Sequence, residues 1–242
     1  MANSYFKFKQ FAIQQDRSAM KVTTDSCLFG AWVAREVQNK KVNLRTMLDI
    51  GVGTGLLTLM IAQKNPQLII DGIEIDENAW TQAKENISEA GFNNEIRVSN
   101  GDIYQHISEN KYDVIVCNPP FYENELKSTN SLKNVAHHDK GLLLEDLLPI
   151  INARLSINSI FYLLLPFKRK KEIETLFERN HLYATKKISV SQSVKHDFFR
   201  LFIEGKRNEE TLTEENEMSI CYETGEYTTE FIHLLKDYYL YL

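Results

Sequence analysis

The sequence predicts an α/β protein, with a mostly parallel sheet and helices on both faces. Three observations point there. Residues 113–122 read Asp-Val-Ile-Val-Cys-Asn-Pro-Pro-Phe-Tyr, a short apolar strand that two prolines stop abruptly. Residues 47–55 read Met-Leu-Asp-Ile-Gly-Val-Gly-Thr-Gly, a strand, a glycine turn and the start of a helix. Around these, apolar runs alternate with stretches of helical period, which requires parallel strands joined by right-handed crossovers.

Taken in order, Phe6, Phe8 and Phe11 form a small aromatic cap or an edge strand. A helix follows over Ser26–Val37, with Thr24 or Asp25 as its N-cap. Met47–Ile50 is the first strand of the sheet, and Thr54–Lys64 its crossover helix. Leu68–Ile73 is the next strand, ending in Glu74. Glu77–Gly91 is the second helix, with Ala79, Ala83, Ile87 and Ala90 on one face and Gly91 at its C-cap. Ile96–Val98 is a third strand leading to Asp102, and Val114–Val116 a fourth. Residues 123–141 are polar, and a loop that long at an active edge is usually functional or disordered. A helix over 142–155, a strand over 158–165 and a helix over 167–180 come next. Tyr183–Val190 and Phe198–Gly205 read as a hairpin closing the sheet, and Thr228–Tyr239 as a terminal helix. No repeat and no linker composition divides the 242 residues, so a single domain is expected. It comprises an N-terminal cap and helix (1–45), a core (46–205) and a C-terminal extension (206–242).

Composition narrows the function classes. A hydrophobic fraction of 43% with 25% charged residues is that of an ordinary soluble protein. Cys27, Cys117 and Cys221 lie far apart with no Cys-x-x-Cys pair, which argues against a disulfide framework and a metal site. The longest apolar run, Ile160–Phe167, is too short to span a bilayer, and residues 1–11 lack a signal core. A cytoplasmic protein without metal or membrane is expected. Net charge −5 disfavours nucleic acid, but residues 163–207 carry eleven basic against five acidic side chains. If these converge on the active edge they form a phosphate-tracking surface. Glu209, Glu210, Glu214, Glu215 and Glu217 make an acidic patch beyond them.

The Asn118-Pro119-Pro120-Phe121 elbow fits one chemical task. Each proline fixes φ, lacks an N–H and pushes the preceding residue to extended geometry, so polar groups stand out unpaired at a strand's carboxyl end. In an open α/β sheet that edge is where ligands bind. The Asn118 side-chain oxygen and the Pro119 carbonyl can accept the two N–H groups of a planar, ring-conjugated amine. They favour its pyramidal form and the positive charge that grows on it during attack. Phe121 can stack on the base and fix its plane. The alternative is a Pro-Pro loop ending an ordinary strand.

The glycine turn is Gly-x-Gly-x-Gly over Gly51, Gly53 and Gly55, not the Gly-x-Gly-x-x-Gly of dinucleotide enzymes. Glu74 ends the next strand about twenty residues on, where a carboxylate can accept both ribose hydroxyls. Asp102, after the third strand, can take an adenine amino group.

Together these residues resemble the Rossmann-like methyltransferases that use S-adenosylmethionine. Asp49–Gly55 matches their glycine motif, Glu74 the ribose acid, Asp102 the adenine acid, and Asn118–Phe121 their Asn-Pro-Pro-Tyr/Phe motif. The resemblance implies a seven-stranded sheet whose last strand runs antiparallel. It implies S-adenosyl-L-methionine as cofactor, held by Thr24, Asp25, Asp49, Gly51, Gly53, Thr54, Gly55, Glu74, Ile75, Asp102, Ile103 and Asn118. Catalysis falls to Asn118, Pro119, Pro120 and Phe121. Thr24 and Asp25 then have two candidate roles, capping a helix or closing over the methionine end of the cofactor.

Across the whole chain the sequence is similar to the bacterial enzymes that methylate N6 of adenosine 37 in valine tRNA. The likeness rests on Phe8-Lys9-Gln10-Phe11, Ala19–Val22 with Thr24-Asp25, Asn118–Phe121, Ala136-His137-His138-Asp139 and the closing 227–240 segment. It implies tRNA as substrate, with the adenosine swung out of its loop to lie beside Phe121. A monomer is expected. Many adenine-N6 enzymes carry Tyr where this chain has Phe121, and some guanine-N2 enzymes of ribosomal RNA carry Phe, so both bases stay open. A glutamine-N5 protein methyltransferase uses the same elbow but carries a helical domain before the glycine motif. About 48 residues precede Asp49 here, too few for one.

Overall fold

A computed structural model describes residues 3–106, 110–120, 142–207 and 212–242 of the chain. A short hairpin, β1 (Tyr5–Lys7) and β2 (Ala12–Gln14), precedes α1 (Thr24–Asn39). Strand and helix then alternate through β3 (Thr46–Ile50), α2 (Leu56–Lys64), β4 (Ile69–Glu74), α3 (Glu77–Ala90), β5 (Ile96–Asn100) and β6 (Tyr112–Cys117). Next come α4 (Leu144–Arg154), β7 (Leu155–Pro166), α5 (Lys170–Arg179) and β8 (Leu182–Ser193). The chain ends with β9 (Phe198–Arg207), β10 (Glu214–Cys221) and α6 (Thr229–Leu235).

Eight strands form one sheet in the order β10-β8-β9-β7-β6-β3-β4-β5. Only β9 runs against its neighbours, and every other pairing is parallel. The seven strands from β8 to β5 are the sheet the sequence implied, with the last in chain order antiparallel. The eighth is a correction for residues 206–242, which were expected to add only a helix. β10 lies parallel to β8 at the sheet edge, with Glu214 opposite Lys186 and Glu215 opposite Lys187. Those side chains form ion pairs, and Glu215 also reaches Lys170. Glu214 and Glu215 of the acidic run therefore lie on a strand and are matched by its neighbour's lysines, a favourable cross-strand arrangement, while Glu209 and Glu210 lie outside the described residues.

The sheet separates two cores by the two-residue period of its strands. Met47, Val114 and Val116 face α1, α2 and α6, packing with Trp32, Phe29 and Phe202. Leu48, Ile50, Ile115 and Cys117 face α4 and α5, with Leu147, Ile151 and Phe177. Each fully buried aliphatic side chain contributes about 1.5–3 kcal/mol. That burial on both faces is why the central strands read as unbroken apolar runs.

The chain's two ends meet on the α1–α2 face. Phe8 bridges to Tyr239, stacks on Phe11 at 4.6 Å and sits 4.7 Å from Phe6, so the aromatic cap is a hairpin packed on the C-terminal segment. The Lys9 N–H donates to the Tyr238 carbonyl, and the Tyr238 hydroxyl donates to the Met60 carbonyl. This pairing ends α6 at Leu235, four residues before the expected Tyr239. The Tyr238 and Tyr239 N–H groups both donate to the Leu235 carbonyl, a tight turn that closes the segment and leaves the Tyr238 carbonyl to the hairpin.

Register fixes the active edge. Ile50 lies level with Ile73 and with Cys117, while Glu74 pairs with Asn100. The glycine turn, Glu74, Asp102 and Asn118 therefore leave the sheet along one line, the carboxyl ends of parallel strands. That is the edge where open α/β sheets take ligands.

Candidate active site

Gly51, Gly53 and Gly55 have φ of +77°, +58° and +86°, a region that L side chains rarely adopt. A Cβ on Gly51 would meet no atom within 4 Å, so the turn borders open space that a side chain would fill. Gly55 is the left-handed N-cap of α2, which starts at Leu56 and not at Thr54. Its Cβ side rests on Ala83 and Ile87 of α3, so this glycine serves packing and leaves the cradle to the other two. Thr54 is buried, and its carbonyl accepts from Asn86 Nδ2 at 2.9 Å.

Glu74 braces the cradle from β4. One carboxylate oxygen accepts the Gly53 N–H at 2.8 Å and the other the Asp76 N–H at 2.9 Å. Each oxygen keeps further acceptor capacity toward the edge. Asp102 accepts the Tyr104 N–H with Oδ1 at 2.9 Å. Ile75 is 58% exposed between these acids, an apolar surface beside two carboxylates, and Ile103 lies buried close by. Such a row of hydroxyl and amine acceptors flanked by aliphatic carbon suits a nucleoside.

Asp49 has another environment. It is 0% exposed on β3, and Oδ2 accepts from Thr58 Oγ1 at 2.7 Å. Among the described residues Oδ1 has no partner. Burial pushes this carboxyl up to about 7, the Thr58 hydrogen bond opposes the rise, and the Glu74 charge adds to it.

Asn118 stands past the end of β6. Its Nδ2 donates to Ser26 Oγ at 3.2 Å, and its buried Oδ1 has no hydrogen-bond donor among the described residues. An acceptor left bare at that depth costs free energy unless something supplies the proton. Pro119 is buried and Pro120 half-buried, which makes the elbow rigid. Phe121, His137 and His138, with the whole 123–141 stretch, lie outside the described residues.

α1 brings its first turn to the elbow. Its N-cap is Thr23, not Thr24 or Asp25. Thr23 has extended backbone at φ −121°, and its Oγ1 accepts the Ser26 N–H. Asp25 is buried and takes Arg200 Nε at 2.7 Å, while Thr24 is exposed and hydrogen-bonds Tyr239. Ser26, Thr58 and Arg200 escaped the sequence reading. Ser26 could have been found from its i+3 spacing to Thr23 at a helix start. For Arg200, contributed by β9, 175 residues from Asp25, no local signal exists.

Several basic side chains of residues 163–207 are held in ion pairs. Lys186 pairs with Glu36 and Glu214, Lys187 with Glu174 and Glu215, Lys170 with Glu215, Arg169 with Glu172, and Lys195 with Glu223. The acidic residues that complete these pairs come largely from outside 163–207. Cys27 and Cys117 are buried and burial raises both thiols, Cys27 to about 12, so neither supplies a nucleophile near the site. Among the described residues no cluster of three metal-ligating side chains occurs, and no helix is long and apolar enough to cross a membrane.

A glycine cradle, an acid at the second strand and an Asn-Pro-Pro elbow at the fourth, on this strand order, define a Rossmann-like methyltransferase. The profile of the methyltransferase small domain matches residues 31–177, and solved structures of that class share the fold. A predicted O-methyltransferase from Agrobacterium tumefaciens superposes with TM-score 0.66 at 13% identity, covering 88% of this chain and 96% of its own. A class I methyltransferase from Listeria monocytogenes gives 0.61 at 11% identity, over 82% and 68%.

Full-length relatives narrow the family. A tRNA1(Val) (adenine(37)-N6)-methyltransferase of Dyadobacter fermentans is 36% identical over 98% of both chains. Its namesake in Trichodesmium erythraeum is 37% identical over 99% of both, and that of Proteus mirabilis 33% over 98% and 94%. The chain belongs to this family.

Proposed function

We propose that the protein transfers a methyl group from S-adenosyl-L-methionine to the N6 amine of adenosine 37 in tRNA1(Val). The observation that carries this is the buried, unpartnered Oδ1 of Asn118 beside the glycine cradle. It is an acceptor without a donor among the described residues, where the transferring centre would lie.

Glu74 would accept the cofactor's ribose hydroxyls, and Asp102 its adenine amine, with Ile75 and Ile103 against the ring. The turn at Gly51 and Gly53 would let the cofactor pass close to backbone. Thr24, Asp25, Asp49 and Thr54 would border the same cofactor. When bound, the sulfonium supplies an electrophilic methyl, so the protein's task is to prepare the amine. The N6 lone pair is delocalised into the purine ring. Asn118 Oδ1 and the Pro119 carbonyl would each accept one N6–H, favouring the pyramidal nitrogen and the charge that grows on it as the N–C bond forms. Pro120 stiffens the elbow, and Phe121 would stack on the base. The methyl would part from sulfur as the N–C bond forms, the electron pair staying on a neutral thioether, and the surplus proton would leave to water.

The test is incubation with methyl-labelled S-adenosylmethionine and unmodified tRNA, ribosomal RNA or release factor, followed by digestion. N6-methyladenosine from tRNA, mapped to position 37, is expected. N2-methylguanosine from ribosomal RNA would overturn the base assignment. Label on glutamine would overturn the nucleic-acid reading.

A further inference from the structure

Asn118 works only if its amide points the right way, and nothing in the elbow itself decides that. An amide presents an acceptor at one end and two donors at the other. With the ends exchanged, Nδ2 would face the incoming N6 amine, donor against donor. The structure places a three-residue hydroxyl relay behind this choice. Thr23 Oγ1 accepts the Ser26 N–H at 3.4 Å and stands 2.7 Å from Ser26 Oγ. Ser26 Oγ in turn stands 3.2 Å from Asn118 Nδ2.

We infer that Ser26 is a positioning residue that fixes the amide polarity of Asn118. A serine hydroxyl has one proton and two lone pairs. Whichever of the Thr23 and Ser26 hydroxyls donates to the other, at least one lone pair of Ser26 Oγ stays free toward Asn118. That lone pair accepts from Asn118 Nδ2. With Nδ2 held there, Oδ1 lies on the opposite side, buried and unpartnered by the described residues. Without the Ser26 oxygen, the Nδ2 protons lose their buried partner and the two amide orientations approach equal populations. This inference rests on the N6-amine reading, and it assigns to the start of α1 a role in substrate chemistry.

The test uses the full chain, with Ser26→Ala and Ser26→Thr compared to wild type. Substituting alanine should lower kcat about twofold, as the competent amide orientation falls to about half of the population, with cofactor Kd unchanged and the melting midpoint slightly lowered. The threonine variant keeps the hydroxyl and should restore kcat. The second readout is binding, in the presence of S-adenosylhomocysteine, of an anticodon stem-loop carrying adenosine or amine-free purine riboside at the target position. Wild type should prefer adenosine and in Ser26→Ala that preference should fall about twofold, whereas a merely structural serine would leave the ratio intact. Full kcat in Ser26→Ala, or an undiminished preference, overturns the inference alone. Absence of N6-methyladenosine with the wild-type enzyme overturns the underlying reading and the inference with it.

Discussion

Replacing Asp49 by asparagine should make stability less sensitive to pH, by an amount that the site's geometry sets. Asp49 is 0% exposed, has one hydrogen-bond partner, and burial pushes its carboxyl from the usual 3.8 to about 7. In the unfolded chain the proton leaves near the ordinary value; in the folded chain it stays until about 7. The folded state's advantage from the protonated group is thus complete below pH ~4 and is lost as pH rises to ~7. A difference of roughly three pH units corresponds to about 4 kcal/mol at most. An asparagine side chain is permanently neutral and close in shape, so it carries no such dependence. Urea unfolding of both proteins from pH 4.5 to 8 should show the Asp49→Asn variant gaining on wild type as pH rises, then levelling off. A stability gap that stays constant over that range would overturn the prediction, because it would mean that Asp49 ionises as readily folded as unfolded.

Three further outcomes are expected. Asn118→Ala should cut kcat about 100-fold or more with cofactor affinity nearly intact, since it removes an acceptor used in transfer; steady-state kinetics beside calorimetry separate the two. Gly51→Val should reduce cofactor affinity at least about tenfold, because a side chain would occupy the open cradle and φ of +77° strains it by about 1–2 kcal/mol; calorimetry reads the first effect and thermal melting the second. Lys170→Gln should leave both tRNA affinity and its salt dependence unchanged, since Glu215 already holds that charge; a filter-binding series in salt checks it.

Short-range rules control everything that was legible in the sequence alone. The proline pair must stop β6 and present Asn118, because the ring fixes φ whatever surrounds it. Gly51, Gly53 and Gly55 mark a turn of positive φ, and Glu74 and Asp102 follow at the ends of the next two strands in a parallel sheet. The two-residue period placed Met47 and Leu48 on opposite cores. Packing of the whole chain settled what depends on residues distant from one another. Charge count left the role of the basic run 163–207 open; in the fold β10 pairs against β8 and brings Glu214 and Glu215 onto two of its lysines, Lys186 and Lys187. Thr23, not Thr24 or Asp25, caps α1, because Asp25 is drawn to Arg200 across the sheet. Ser26 meets Asn118 across 92 residues. Contacts of that separation depend on how helices pack on the sheet, a choice made by the whole core and not by any local stretch of residues.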